Sequence, residues 1–137
     1  MKDKQIMLVQ ESWKLAMYDE DEFINLVYDN LFEISPESRQ LFKRNLKMQS
    51  KKIMNMFGSV IEKLDRLELV MPDLIPAGRR HKDYGVDSKN FEDFRIALLR
   101  ALKTVLKNEY SSELEEAWNV VYRFISSTMC SAMRLRD

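Results

Sequence analysis

Turn-forming residues are scarce in this chain: 137 residues hold only three glycines and three prolines. An all-β fold needs turn signals roughly every 8–12 residues, so a meander or sandwich is excluded. The apolar residues recur instead at helical spacing. Phe23, Ile24, Val27, Tyr28, Leu31 and Phe32 form one stripe. Phe91, Phe94, Leu98, Leu99, Leu102, Val105 and Leu106 form another.

The pattern predicts an ordered series of helices. Residues 4–17 place Ile6, Met7, Val9, Trp13, Leu15 and Ala16 near one face. The acidic run at 19–22 opens a second helix, because negative charge suits the positive end of the helix dipole. Ser35-Pro36-Glu37 reads as cap, first-turn proline and acid, opening a short helix through Leu41 and Phe42. Residues 43–48 are basic and irregular, and a long helix follows over about 50–64 with Gln49 one turn before Ile53. Residues 67–81 predict a weaker helix interrupted by Pro72 and Pro76, with Gly85 as its C-terminal cap. A helix over 90–106 comes next. The last is opened by a capping box of Ser112 and Glu115 and carries Leu114, Trp118, Val121, Tyr122, Ile125 and Met129. The expectation is an all-α fold of about seven helices in one domain, residues 1–137.

Lys plus Arg equals Asp plus Glu at 22 each, so no overall charge favours nucleic acid or an anionic membrane. No stretch reaches the length of a membrane span, and the N-terminus is charged from its second residue, unlike a secretory signal. These features lead us to expect a soluble cytoplasmic protein, monomeric or weakly dimeric. Cys130, the one cysteine, cannot form an intrachain disulfide. No P-loop, dinucleotide fingerprint, Ser–His–Asp triad or Cys–His zinc cluster is present. His81, in the string GRRHKDYGV, is the one histidine. Imidazole commonly ligates protein-held metals, and a lone histidine is equally at home on a surface or satisfied in a core.

The order of several short motifs carries more information than any one of them. They are Ser12-Trp13, YDNLF from Tyr28 to Phe32, Pro36, Leu41-Phe42, Gln49 with Ile53, GRRH ending at His81, YGV from Tyr84, and AWNVVY from Ala117 to Tyr122. In this order and spacing, along nearly the whole chain, the sequence resembles the globin family, above all bacterial single-domain globins and the haem domain of flavohaemoglobins. The resemblance implies a three-over-three helical sandwich of helices A, B, C, E, F, G and H, with helix D essentially absent. It also implies haem b (iron protoporphyrin IX) as cofactor.

Carried over residue by residue, the resemblance makes His81 the proximal iron ligand and Phe42 the ring packed on the haem face. Tyr28 and Gln49 become the distal pair facing a bound diatomic ligand, and Ile53 the apolar wall beside it. Ser50 falls where two helices cross, and Val86 at the porphyrin edge. Phe57, Tyr84, Phe91, Phe94 and Tyr122 complete the surround. Lys52 and Arg80 are candidates for the propionates, with solvated surface charge as the other reading. The basic run Lys43, Arg44, Lys47, Lys51 and Lys52 is either a solvated face or a dock for an acidic reductase.

The expected chemistry follows from the distal pair. A tyrosine hydroxyl and a glutamine amide can both donate to the partial negative charge of bound O₂, each bond being worth ~1–3 kcal/mol. Tight O₂ binding, slow release and a mainly five-coordinate ferrous iron are expected. Storage or scavenging of O₂ fits, and so does NO dioxygenation with a separate reductase. A gas or redox sensor signalling to a separate partner is the alternative. Two departures from flavohaemoglobins count against a self-sufficient NO dioxygenase. Phe91 and Met133 occupy the positions of a tyrosine and a glutamate that strengthen the proximal imidazole, and the chain stops at Asp137 without a reductase. Ala77, one turn before His81, is smaller than expected and predicts a looser proximal side.

Overall fold

Short polar side chains fix where most of the helices begin. In the computed structural model, which describes residues 1–42, 45–83 and 85–134, six α-helices and no strand are found among the described residues. They are α1 (Asp3–Ala16), α2 (Glu20–Ile34), α3 (Leu46–Glu62), α4 (Leu67–Asp83), α5 (Ser88–Leu106) and α6 (Ser112–Arg134). Asp19 caps α2 by accepting from the Glu22 N–H at 3.2 Å. Asn45 caps α3 through the Met48 N–H at 3.0 Å. Asp87 and Asn90 exchange hydrogen bonds at the start of α5. The stretch expected as a short helix is a 3₁₀ turn, Pro36–Leu41.

Three expectations need correction. Asn45 starts α3 at Leu46, four residues before the expected Ser50, so Gln49 is inside the helix rather than ahead of it. The capping residue of α6 is Ser111, whose Oγ accepts from the Leu114 N–H at 3.1 Å. Ser112 is the first helical residue, and Glu115 takes the Tyr110 hydroxyl hydrogen bond at 2.7 Å instead. Pro72 and Pro76 do not interrupt α4, which runs unbroken from Leu67 to Asp83. Both prolines are exposed, so water can serve the carbonyls that lose an N–H partner.

The helices form the three-over-three sandwich, with α1, α3 and α4 laid across α2, α5 and α6. Trp118 ties α6 to α1 by donating its Nε1 hydrogen to Ser12 Oγ at 2.9 Å, and Ser12 donates on to the Val9 carbonyl at 3.0 Å. Asn30 joins α2 to α5 through the Ala97 carbonyl at 3.3 Å. Lys63 at the end of α3 pairs with Asp73 of α4 at 3.1 Å. Val9, Phe23, Val27, Met54, Ile61, Leu98, Leu102, Trp118 and Val121 are fully enclosed between the layers. Among the described residues no helix is long and apolar enough to cross a membrane.

α4 and α6 approach closely at Gly78. A Cβ on Gly78 would lie 2.5 Å from the Met129 carbonyl oxygen and 2.9 Å from its Cα. Both are backbone atoms, so the helices would have to separate. We expect Gly78→Ala to destabilise the chain by ~1–3 kcal/mol, the usual cost of overpacking, measured as a lower urea midpoint. An unchanged midpoint would show that α4 shifts without loss.

Candidate functional site

The last turns of α4 build one half of the site. Helical spacing puts the carbonyl of Ala77 beneath the side chain four residues later. His81 Nδ1 lies 2.6 Å from that carbonyl oxygen. A carbonyl can only accept, so Nδ1 carries the proton and Nε2 the lone pair. The imidazole is half-buried, with the Phe91 ring of α5 at 5.8 Å and inclined by 30°. Burial holds its pKa below the ordinary histidine value. The Ala77 bond opposes that shift and the Arg80 charge adds to it. Ala77 itself is 1% exposed.

The other half comes from α2 and α3. Tyr28 is buried, its ring edge-on to Phe42 at 5.3 Å and to Phe94 at 5.9 Å. Its hydroxyl is enclosed without a hydrogen-bond partner, and so is Gln49 Oε1. Burial raises the phenol pKa strongly, so the proton stays on Tyr28. The two halves meet along α5, where Phe91 and Phe94 stand one turn apart: Phe91 against His81, Phe94 against Tyr28 and Phe57.

The remaining expected residues distribute as follows. Phe42, Ile53, Phe57, Val86, Phe91 and Phe94 are apolar yet only half-buried. Val86 donates its N–H to the His81 carbonyl at 3.0 Å just beyond α4. There Gly85 adopts the left-handed φ of +83° expected of a helix-ending residue. Tyr122 is buried, stacked on Phe94, and donates its hydroxyl to the Phe91 carbonyl at 2.6 Å. Its polar group thus fastens α6 to α5. Ser50 is buried and bonds back to the Lys47 carbonyl at 3.1 Å. Lys52 and Arg80 are exposed, and Arg80 reaches across to Met56 Sδ of α3 at 3.7 Å. Tyr84, Lys43 and Arg44 lie outside the described residues. The sequence reading missed the part played by Ala77, whose carbonyl orients His81. The signal was the four-residue spacing, which names the carbonyl but not its capture.

A family model described as Globin matches residues 25–129. The chain belongs to the globin family. The protein named anaerobic nitrite reductase from Brassica napus is 27% identical to this globin over 98% of its length and 93% of the relative. The likeness to flavohaemoproteins is more distant: Flavohemoprotein B of Dictyostelium discoideum is 23% identical, over 96% of this chain and 31% of its own. A solved hexacoordinated haem protein from an anhydrobiotic tardigrade superposes with a TM-score of 0.86 at 17% identity, covering 98% of this chain and 96% of that one.

Haem is the group that globins bind, and the residues present fit it. Among the described residues no cluster of three or more His, Cys, Asp or Glu could hold a metal alone. A porphyrin that brings its own nitrogens suits a chain offering one imidazole with a lone pair on Nε2. The half-buried apolar residues around it suit a flat, mostly apolar macrocycle, and the two enclosed polar atoms suit a small polar ligand.

The depressed pKa sets a pH dependence in the chain without bound haem. The unfolded state takes up the His81 proton before the folded state does, so stability rises with pH in that window. We expect stability to fall as pH drops below about 6.5, the ordinary histidine value. Melting curves from pH 7.5 to 5 check this, and a His81→Phe chain loses less stability over the same range. Equal losses would locate the dependence elsewhere.

Proposed function

We propose that this globin holds ferrous haem b through His81 as a five-coordinate centre. We further propose that it binds O₂ tightly beneath Tyr28 and Gln49, for O₂ storage and scavenging or for NO removal with a separate reductase. The supporting observation is the pair of enclosed atoms without partners, Tyr28 Oη and Gln49 Oε1. A buried polar group without a partner costs ~1–3 kcal/mol; of the three such side-chain atoms among the described residues, Ser35 Oγ lies at the helix cap after α2, and the other two are this pair. When bound, haem supplies reversible coordination of a diatomic gas and one-electron chemistry.

Within this reading each residue has a defined task. His81 offers Nε2 to the iron while Ala77 fixes the ring. Tyr28 keeps its proton at neutral pH and donates it in a hydrogen bond to the ligand. Gln49 presents either end of its amide, because Oε1 and Nε2 exchange by rotation about one bond, and Nε2 is the end that suits partial negative charge. Ile53 and Phe42 keep water away. Arg80 and Lys52, at the exposed edge, suit the propionates. His81 is the one histidine of the sequence, so no second histidine of this sequence is at hand as a sixth ligand, which supports the five-coordinate reading.

The name of the plant relative favours a second reading, reduction of nitrite to NO. That reaction consumes one electron and two protons per nitrite and releases water. Tyr28 is then the nearest proton-bearing group of the distal pair. A sensor acting on a separate partner is a third use of the same site.

Stopped-flow measurement of O₂ release tests the first reading. Two lost-bond equivalents of ~1.4 kcal/mol each are a hundredfold, and we expect Tyr28→Phe alone to speed release by at least about tenfold. An unchanged rate means the hydroxyl does not reach the ligand. We expect His81→Ala to lose haem on gel filtration, whereas normal retention would move the ligand elsewhere. Catalytic loss of nitrite under dithionite, with fast O₂ release in the wild type, would favour the second reading.

A further inference from the structure

Between α5 and α6 runs a groove of about 250 Å³, open at one side, that shares Phe91 with the site. Its apolar lining comes from Phe91, Tyr122 and Cys130, and its rim carries Arg95, Arg123 and Arg134. Glu92 is the one carboxylate in that lining. It is already engaged, because Arg95 grips it with two guanidinium nitrogens and turns a third to Asn119 Oδ1 at 2.7 Å. Arg95 and Glu92 therefore cancel, and the lining keeps the positive charge of two exposed guanidinium groups, Arg123 and Arg134.

We infer that this groove binds a small arenecarboxylate, a planar aromatic ring bearing one carboxylate. Three features select that class. The net charge calls for an anion, and guanidinium groups pair with carboxylates in two-point geometry. The aromatic and thiol lining calls for a flat apolar body, since rings stack or meet edge-to-face at favourable distances. The size admits the class: a cavity of about 150 Å³ suffices for benzene, and the groove's 250 Å³ leaves room for one carboxylate beside a single ring. A bare inorganic anion would leave the aromatic lining uncovered. None of His81, Tyr28 and Gln49 lines the groove, and the inference does not rest on the proposed gas chemistry.

Cys130 is the chain's one thiol and lines the groove, so its alkylation reports occupancy. In the haem-loaded protein, benzoate at several times its dissociation constant is expected to slow iodoacetamide labelling of Cys130 by at least about threefold. Inorganic phosphate at equal ionic strength is expected to leave the rate unchanged. Arg123 and Arg134 are exposed, so the double variant Arg123→Ala, Arg134→Ala keeps the fold, and benzoate no longer protects it. Calorimetric titration reads the same event without the thiol, with one-to-one binding that weakens by about tenfold or more in the double variant, the loss expected for charge-assisted pairs. No benzoate binding by calorimetry overturns the inference. So does binding that survives loss of both arginines, or phosphate protection as strong as that by benzoate.

Discussion

The approach of α4 to α6 at Gly78 governs much else in this globin. With hydrogen in place of a side chain, the helix backbone settles directly on the Met129 peptide. Ala77, the adjacent residue, is buried as well. That seat fixes the last turn of α4, and the last turn carries His81. The Ala77 carbonyl then turns the imidazole so that the lone pair of Nε2 is presented away from its own helix. A histidine on a freely moving helix end would lose orientation, and ligand affinity depends on orientation held by such outer partners.

The sandwich spends stability on its polar atoms unevenly. Ser12, Trp118, Asn30 and Tyr122 are all satisfied, and each bond joins two helices or closes one upon itself. Tyr28 Oη and Gln49 Oε1 depart from that economy, though both are enclosed. Native proteins leave few such groups, and both of these fall in the half of the site built by α2 and α3. The surrounding rings of Phe42 and Phe94 lower the local polarity. In such surroundings a hydrogen bond to a ligand is stronger than in water. The same desolvation that raises the Tyr28 pKa keeps its proton available as a donor.

Much of this architecture was legible from periodicity. The stripes of α2 and α5 and the order of helices required only apolar spacing, and Gly85 announced a left-handed helix end. What the spacing could not resolve was local competition. Ser111 and Ser112 are both good caps, and only packing decides between them. Asn45 reads as one more polar residue in a basic stretch until its side chain is seen to accept from Met48. Pro72 and Pro76 are breakers by propensity, yet tertiary docking carries α4 through them because both fall on its exposed side. For the site, His81, Tyr28 and Gln49 were identifiable by residue type and order. Ala77 was not, because its contribution is a backbone carbonyl, which no side-chain pattern announces.

The proximal surroundings also bear on how strongly His81 can donate to iron. A carboxylate accepting from Nδ1 would pull on the proton and make the imidazole a stronger donor. Here a neutral peptide carbonyl accepts it, and the Phe91 ring lies beside the imidazole. Tyr122, the polar residue closest to that ring's own backbone, gives its hydroxyl to the Phe91 carbonyl. Its proton is thereby committed to holding Phe91 in place. A neutral carbonyl pulls on the Nδ1 proton less than a carboxylate would, so this contact orients the imidazole more than it strengthens it. In the half built by α2 and α3 the enclosed atoms are a phenol that can donate and an amide oxygen that accepts, so the same fold presents both hydrogen-bonding roles there.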